Sequence, residues 1–302
     1  METLITGAFK YTSEQLKELE ELGLKITFLQ NECQKIDFDV SKIEIVIGNS
    51  IFMYNDITEF KNLKYIQLTS AGLDRVPLEY IKENNIILNN ARGVYSIPMA
   101  EWTILKILEI YKCTKKFYKK QEEHKWEKER NLLELYGKTA TILGFGNIAQ
   151  EIAKRLQAFG VKINAVDISK KESKYADNYY QITELEEVLP ESDIVIITLP
   201  LAENTKNMID KNIMNKMKEN AILVNVSRGG IIKEKDLIEE IKNGKFLGVI
   251  LDVFEKEPLQ ENNPIWNFEN VIVTPHNSFV SEGNNKRMYE LILKNIRQYI
   301  IK

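Results

Sequence analysis

From residue 139 onward, short runs of aliphatic and β-branched residues alternate with stretches in which apolar residues return every third or fourth position. The runs are Thr139-Ala-Thr-Ile-Leu143, Val161 to Val166, Ile194 to Leu199, Ala221 to Val226, Leu247 to Leu251 and Val271 to Thr274. Helical periodicity fills 147–159, where Ile148, Ile152, Leu156 and Phe159 recur, and also 210–218 and 234–243. Strands that alternate with helices pair in parallel, and right-handed crossovers put the helices on both sheet faces. The pattern therefore predicts a doubly wound parallel sheet of six strands.

The first ninety residues repeat the style on a smaller scale, with candidate strands Lys25 to Leu29, Ile43 to Ile47, Tyr65 to Leu68 and Ile86 to Leu88 and a helical stretch at 13–22. They predict a second, smaller, flavodoxin-like α/β domain. Pro98 suits the first turn of a strongly periodic helix at 99–111, read as the crossing between domains. The last segment, 286–301, is again helical and is expected to return to the first domain. The domains so drawn are 1–95 completed by 284–302, and 96–283.

A chain of 302 residues, 44% apolar and 28% charged, buries a sizeable core in two domains. Its apolar runs fall far short of the roughly 20 residues that span a bilayer. The start Met1-Glu-Thr-Leu-Ile-Thr-Gly7 lacks a basic region followed by an apolar one, so the cytoplasm is expected. Cys33 and Cys113 lie far apart without CxxC spacing, and with two histidines they make no zinc cluster, so neither a metal nor a disulfide is expected. A net charge of −3 disfavours nucleic acid as the main partner. The basic run Lys115, Lys116, Lys119 and Lys120 continues into Glu122, Glu123, Glu127 and Glu129, and reads as a solvated helix face of mixed charge.

Chemistry enters at Leu143-Gly144-Phe-Gly146-Asn-Ile-Ala149, which follows a predicted strand and opens a predicted helix. This is the GxGxxG/A phosphate fingerprint in its required setting. Gly144 permits a tight turn, Gly146 lets the backbone approach a pyrophosphate, and the helix N-terminus favours the anion. Ala149 takes the place of the third glycine. Asp167 ends the next strand about 20 residues on, where ribose recognition expects a carboxylate. An aspartate there also serves as a simple cap. Beside the glycines, it marks a Rossmann-type domain that prefers NAD to NADP, because a carboxylate repels a 2′-phosphate. Lys170 and Lys171 temper that preference.

Three further strand ends carry unusual polar residues: Asn225-Val-Ser-Arg228-Gly-Gly, Asp252-Val-Phe-Glu-Lys-Glu257-Pro258, and Thr274-Pro-His276. Ligands bind outside the carboxyl ends of strands in open α/β sheets. Taken singly, Arg228 reads as a salt-bridge residue, Glu257 as a solvated loop acid and His276 as a packing histidine. Together they resemble the D-isomer-specific 2-hydroxyacid dehydrogenase family, whose active site holds an arginine in N-x-S-R-G-G, a glutamate in D-V-x-x-x-E-P and a histidine in T-P-H. Ser70-Ala-Gly72-Leu-Asp74, Ser96 to Glu101 and Leu199-Pro200-Leu-Ala-Glu-Asn-Thr205 also look like family segments, so the resemblance covers nearly the whole chain.

The resemblance implies hydride transfer between NADH and a small 2-keto acid, giving the D-2-hydroxy acid. The chemistry of the three residues agrees. An imidazolium at His276 suits proton donation near neutral pH, Glu257 favours the protonated ring, and Arg228 offers a permanent planar fork to the substrate carboxylate and carbonyl. By resemblance, the backbone N–H groups of Ala71 and Gly72 bind the substrate carboxylate and Asp252 lies near the nicotinamide carboxamide. Asn147, Ile148, Thr198, Pro200 and Thr205 belong to the cofactor path. Tyr95, Met53, Tyr54 and Trp266 are candidates for the substrate pocket, although such residues more often fill cores. The turn Asn277-Ser278-Phe279 departs from the small apolar or glycine residues of many relatives. A homodimer is expected by resemblance, and no appended regulatory domain is expected after Lys302. Two alternatives stand beside this reading: an NAD-gated binding protein on the same fold, and formate dehydrogenase, which carries glutamine where this chain has Glu257.

Overall fold

The computed structural model describes residues 1–169 and 173–301. The expectation about Lys170 and Lys171 therefore lies outside the described residues. The chain divides into two compact units, Met1–Tyr95 with Ser281–Lys302, and Ser96–Val280.

The first unit is a parallel sheet in the order β2-β1-β3-β4-β5. Its strands are β1 (Glu2–Thr6), β2 (Lys25–Leu29), β3 (Ile45–Gly48), β4 (Tyr65–Leu68) and β5 (Ile87–Asn89). That 2-1-3-4-5 order is the flavodoxin-like one, so the expected class holds. Helices α1 (Ser13–Glu21) and α2 (Leu78–Glu83) lie in sequence between strands. The C-terminal helix Asn284–Ile300, α9 in chain order, belongs to the same unit. Alternate residues of the strands feed two cores. Ile5, Ile45, Ile47 and Tyr65 pack with Leu19 of α1 and with Met288, Ile292 and Ile296 of α9. Leu4, Val46, Ile66 and Leu68 pack with Ile51, Ile57 and Ile81.

Interior strand β1 is absent from the strands expected above. Its two threonines break the apolar run, yet Thr3 and Thr6 are buried. Their hydroxyls donate to Met1 O and to Glu32 Oε2, at 3.1 and 2.7 Å, so burial leaves neither hydroxyl unbonded.

The second unit holds seven parallel strands in the order β12-β11-β10-β9-β6-β7-β8. They are β6 (Thr139–Leu143), β7 (Lys162–Asp167), β8 (Asn178–Gln181), β9 (Ile194–Ile197), β10 (Ala221–Asn225), β11 (Phe246–Leu251) and β12 (Val271–Val273). The expectation of six strands missed β8. This is an edge strand of sequence Asn-Tyr-Tyr-Gln, half-buried and paired on one side only, so it needs no apolar run. Central strands such as β9 and β10 are buried at every position, as parallel strands covered on both faces must be.

Helices α3 (Ser96–Tyr111), α4 (Thr114–Glu122), α5 (Asn147–Ala158), α6 (Leu185–Val188), α7 (Lys211–Lys216) and α8 (Glu234–Lys242) complete this unit. Pro98 sits inside the first turn of α3, which starts earlier than expected. The mixed-charge helix face also stops early: α4 ends at Glu122, and Glu127 and Glu129 reach back to Lys120 from coil at 3.8 and 4.0 Å. Among the described residues no helix is long and apolar enough to cross a membrane, and no group of three acidic, His or Cys side chains is placed to hold a metal ion.

Candidate active site

The chain leaves β6 for β7 and β8 in one direction along the sheet, then returns to β9 on the other side of β6. The reversal opens a crevice beyond β6 and β9, where doubly wound sheets bind ligands. Gly144 lies at that point with φ +83°, a left-handed conformation, and a Cβ there would meet Leu199 N at 3.0 Å. Thr198, following β9, closes the crevice floor by donating its N–H to Leu143 O at 2.9 Å and its hydroxyl to Gly144 O.

Gly146 precedes α5 without a side-chain cap, and a Cβ built on it meets nothing within 4 Å. The first N–H groups of α5, from Asn147 and Ile148, thus begin an uncapped helix facing open space. Asp167, at the end of β7, accepts the Phe145 N–H at 2.8 Å and the Ile168 N–H at 2.7 Å. Its carboxylate is thereby fixed beside the glycine turn. A dinucleotide fits this donor set: backbone amides and a helix N-terminus for phosphates, a carboxylate for ribose hydroxyls. Thr205 has a local job, its hydroxyl donating to Pro200 O at 2.7 Å and accepting Ala202 N–H at 2.8 Å, which closes the 200–205 turn.

The other strand ends are tied to one another. After β10, Asn225 Oδ1 accepts the Ser227 N–H and hydroxyl at 3.1 and 2.8 Å, while its amide donates to Arg228 O at 3.0 Å. One side chain thus shapes the turn that presents Arg228, whose Nη1 donates to Ser227 O at 2.8 Å. After β11, Asp252 is wholly buried. Its backbone N–H donates to Asn225 O at 3.1 Å and its backbone O accepts the His276 N–H at 2.8 Å. Its carboxylate accepts the Thr274 hydroxyl, the Asn277 N–H at 2.8 Å and the Ser278 N–H at 3.0 Å. The carboxylate expected near a carboxamide is therefore committed to the segment that carries His276.

His276 has φ +51°, uncommon for a residue with a side chain, and this turn is what aims its ring. Nδ1 lies 2.9 Å from Glu257 Oε2. A carboxylate only accepts, so Nδ1 carries the hydrogen and Nε2 is left for chemistry. Glu257 Oε1 accepts the Phe254 N–H at 3.1 Å, which fixes the second oxygen. Phe279 of the departing turn meets the imidazole edge-on, with ring centroids 6.0 Å apart.

In the first unit, Ala71 and Gly72 follow β4, and their carbonyls accept from Asn90 Nδ2 at 2.6 Å and from Ser70 Oγ at 3.0 Å. Tyr95 directs its hydroxyl to Thr69 O. Met53, Tyr54 and Trp266 are exposed, so the core explanation fails for these three.

Sequence reading missed the reason for Gly229. Its φ is ordinary, but a Cβ there would fall 1.8 Å from Phe254 C and 2.4 Å from Glu255 N. The turn bearing Arg228 and the loop bearing Glu257 touch backbone to backbone at this residue. The glycine was visible in the sequence, but its neighbour was not.

A helix N-terminus left open at a sheet's reversal point, with a carboxylate one strand away, is the means by which α/β proteins hold a dinucleotide; the fold and this loop define a dinucleotide-binding protein. The chain belongs to the D-isomer-specific 2-hydroxyacid dehydrogenase family, whose NAD-binding-domain model matches residues 104–278. It is 35% identical over 291 residues to the hydroxypyruvate reductase of Thermotoga maritima, covering 94% of each chain. A solved D-isomer-specific 2-hydroxyacid dehydrogenase family protein from Aeromonas salmonicida superposes with a TM-score of 0.83 at 26% identity, over 99% of this chain and 95% of that one. A glyoxylate reductase from Paecilomyes thermophila shares the fold with a TM-score of 0.85 at 24% identity, over 100% of this chain and 96% of that one. The chain is thus an NAD-dependent enzyme of 2-keto and 2-hydroxy acids.

Gly229→Ala is expected to cost about 1–3 kcal/mol, the usual range for a methyl forced into a closed contact, and to lower turnover with it. A thermal melt and steady-state kinetics on the same preparation check this. An unshifted melt with full turnover would show that the two loops separate freely.

Proposed function

We propose that this enzyme reduces a short 2-keto acid to its D-2-hydroxy acid, with His276 donating the proton, Glu257 holding the imidazolium and Arg228 orienting the substrate. The observation that carries the proposal is the 2.9 Å pair between His276 Nδ1 and Glu257 Oε2 at the end of a sheet that also carries the dinucleotide turn. When bound, NADH supplies the hydride. The alkoxide oxygen that forms needs a proton, and Nε2 of a protonated His276 is free to give it. Glu257 accepts from Nδ1 throughout, so the ring keeps one orientation as its charge changes. Arg228 gives the substrate carboxylate two parallel donors, which a lysine does not match. Ala71 and Gly72 are proposed to add backbone donors to that carboxylate. Relatives named hydroxypyruvate and glyoxylate reductase suggest short, unbranched keto acids as substrates.

The proposal extends to a homodimer. Leu105, Tyr118, Trp126 and Tyr136 are exposed in the second unit, Trp126 completely so. Exposed large apolar side chains such as these are what a partner subunit would cover.

With hydroxypyruvate and glyoxylate as substrates, His276→Ala should lower kcat by roughly 10² or more while NADH binding stays nearly intact. Glu257→Gln removes the charge that favours the imidazolium. Reduction requires the protonated ring and fails as pH rises, so the alkaline limb of kcat/KM should move to lower pH. Profiles from about pH 5 to 9 decide the matter, and an unmoved limb sinks the role given to Glu257.

NADH should be preferred to NADPH by at least about tenfold in kcat/KM, some 1.4 kcal/mol, and Asp167→Ser should shrink the ratio. Equal use of both cofactors by the unmodified enzyme defeats the role given to Asp167.

Sedimentation of the unmodified chain should give a dimer, and Trp126→Glu a monomer. A monomeric parent would remove the association proposal.

A further inference from the structure

We infer that Glu234 and Glu255 form a clasp that positions Glu257, making them positioning residues for the proton donor although neither lies among the proposed catalytic groups. The inference rests on the pairing of Glu257 with His276 proposed above. It starts from a question of support. Glu257 stands in the loop after β11, and one hydrogen bond within that loop, from Phe254 N–H to Glu257 Oε1, does not fix the loop against the rest of the fold.

Two contacts do. The first is steric: the Phe254 and Glu255 backbone lies against Gly229 with no room for a Cβ. A contact of this kind prevents inward movement but not outward movement. The second contact supplies the missing restraint. Glu234, the first residue of α8, donates its N–H to Glu255 Oε1 at 2.9 Å. Glu255 in return donates its N–H to Glu234 Oε2 at 3.4 Å. Each residue thus offers backbone donor and side-chain acceptor to the other, the reciprocity of a capping box carried across 21 residues of sequence. Asn263 Nδ2 donates to Glu234 Oε1 at 2.8 Å, so the second oxygen of Glu234 is also held.

The charge arrangement explains why two like-charged side chains stand together here. Lys233, before α8, gives the helix no side-chain cap, so the first turn has unsatisfied N–H groups and a positive dipole end. Glu255 supplies the cap from another part of the chain. The helix end thereby grips the loop two residues from Glu257. The strand order β12-β11-β10 sets that loop between the turns of His276 and Arg228; among the described residues, Glu257 bonds the His276 ring and Asp252 bonds the backbone of the 276–278 turn. Asp252 is committed to the 274–278 segment, which leaves Glu257 as the carboxylate whose position the clasp controls.

Loss of the clasp lets the loop move outward and weakens the carboxylate–imidazole pair without removing either partner. The test compares Glu255→Ala, Glu255→Gln and Glu257→Gln for reduction of hydroxypyruvate or glyoxylate, with NADH affinity by fluorescence and thermal melts alongside. Glu255→Ala should lower kcat about fivefold, the scale of one lost cap, with little change in KM or NADH affinity. Its pH–rate profile should change in the same direction as that of Glu257→Gln. Glu255→Gln retains the acceptor oxygen and should restore both kcat and the limb. A parental profile for Glu255→Ala, while Glu257→Gln shifts, overturns the clasp alone. Equal shifts for Glu255→Ala and Glu255→Gln overturn it too, because they would mean that charge at a distance acts and not the hydrogen bond. An unmoved limb in Glu257→Gln overturns the pairing itself, and the clasp with it. Glu255 is exposed, so loss of folding is not the expected consequence of either substitution, and the melts check this.

Discussion

A carboxylate shut away from water must have its charge answered by protein donors, and the donors that answer Asp252 all come from the segment that presents His276. The same residue ties into the neighbouring turns through its backbone, giving its N–H to Asn225 and taking the N–H of His276. Three separate strand ends are thereby joined around one buried charge. An unusual backbone at His276 persists because these bonds determine it several times over. The rest of the site depends on this arrangement: Glu257 finds the imidazole only if the 274–278 segment is folded back over the end of β11.

The cofactor side is built by a different economy of means. Few side chains are involved, and the sheet's reversal between β6 and β9 creates the crevice before any particular residue fills it. Gly144 and Gly146 serve through what they lack. The first removes a clash with Leu199 and the second keeps the helix entrance clear. Asp167 is already bonded to the Phe145 amide, so the carboxylate is oriented by the glycine turn itself.

Much of the architecture was legible in the sequence because its signals are local. Strands such as Ile194–Ile197 are apolar at every position, and the glycine fingerprint stands directly between β6 and α5. The chemistry-bearing types at the three strand ends were equally visible, and the structure brings Glu257 and His276 into contact across 19 residues. Strands β1 and β8 escaped because polar residues, Thr3 and Thr6 in one and Asn178 and Gln181 in the other, shorten the apolar run that marks a strand. What no single stretch of sequence displayed was the cross-chain work: the close approach at Gly229, the tie made by Asp252, and the loop held by Glu234 and Glu255. Each depends on which backbone arrives beside a residue, and that is a property of topology.

The C-terminal helix has a consequence for how the chain comes into being. Ile292 and Ile296 of α9 are fully buried in the core that β1, β3 and β4 share with α1, yet the whole of Ser96–Val280 is synthesised between those partners. On the ribosome the second unit is complete while the first still lacks one wall of its core. Domains fold as units in the order in which they emerge. Here the first unit therefore finishes folding only after Ser96–Val280 has been made, with Ile5, Ile45 and Ile47 covered on the Leu19 side alone until α9 supplies the rest of their wall.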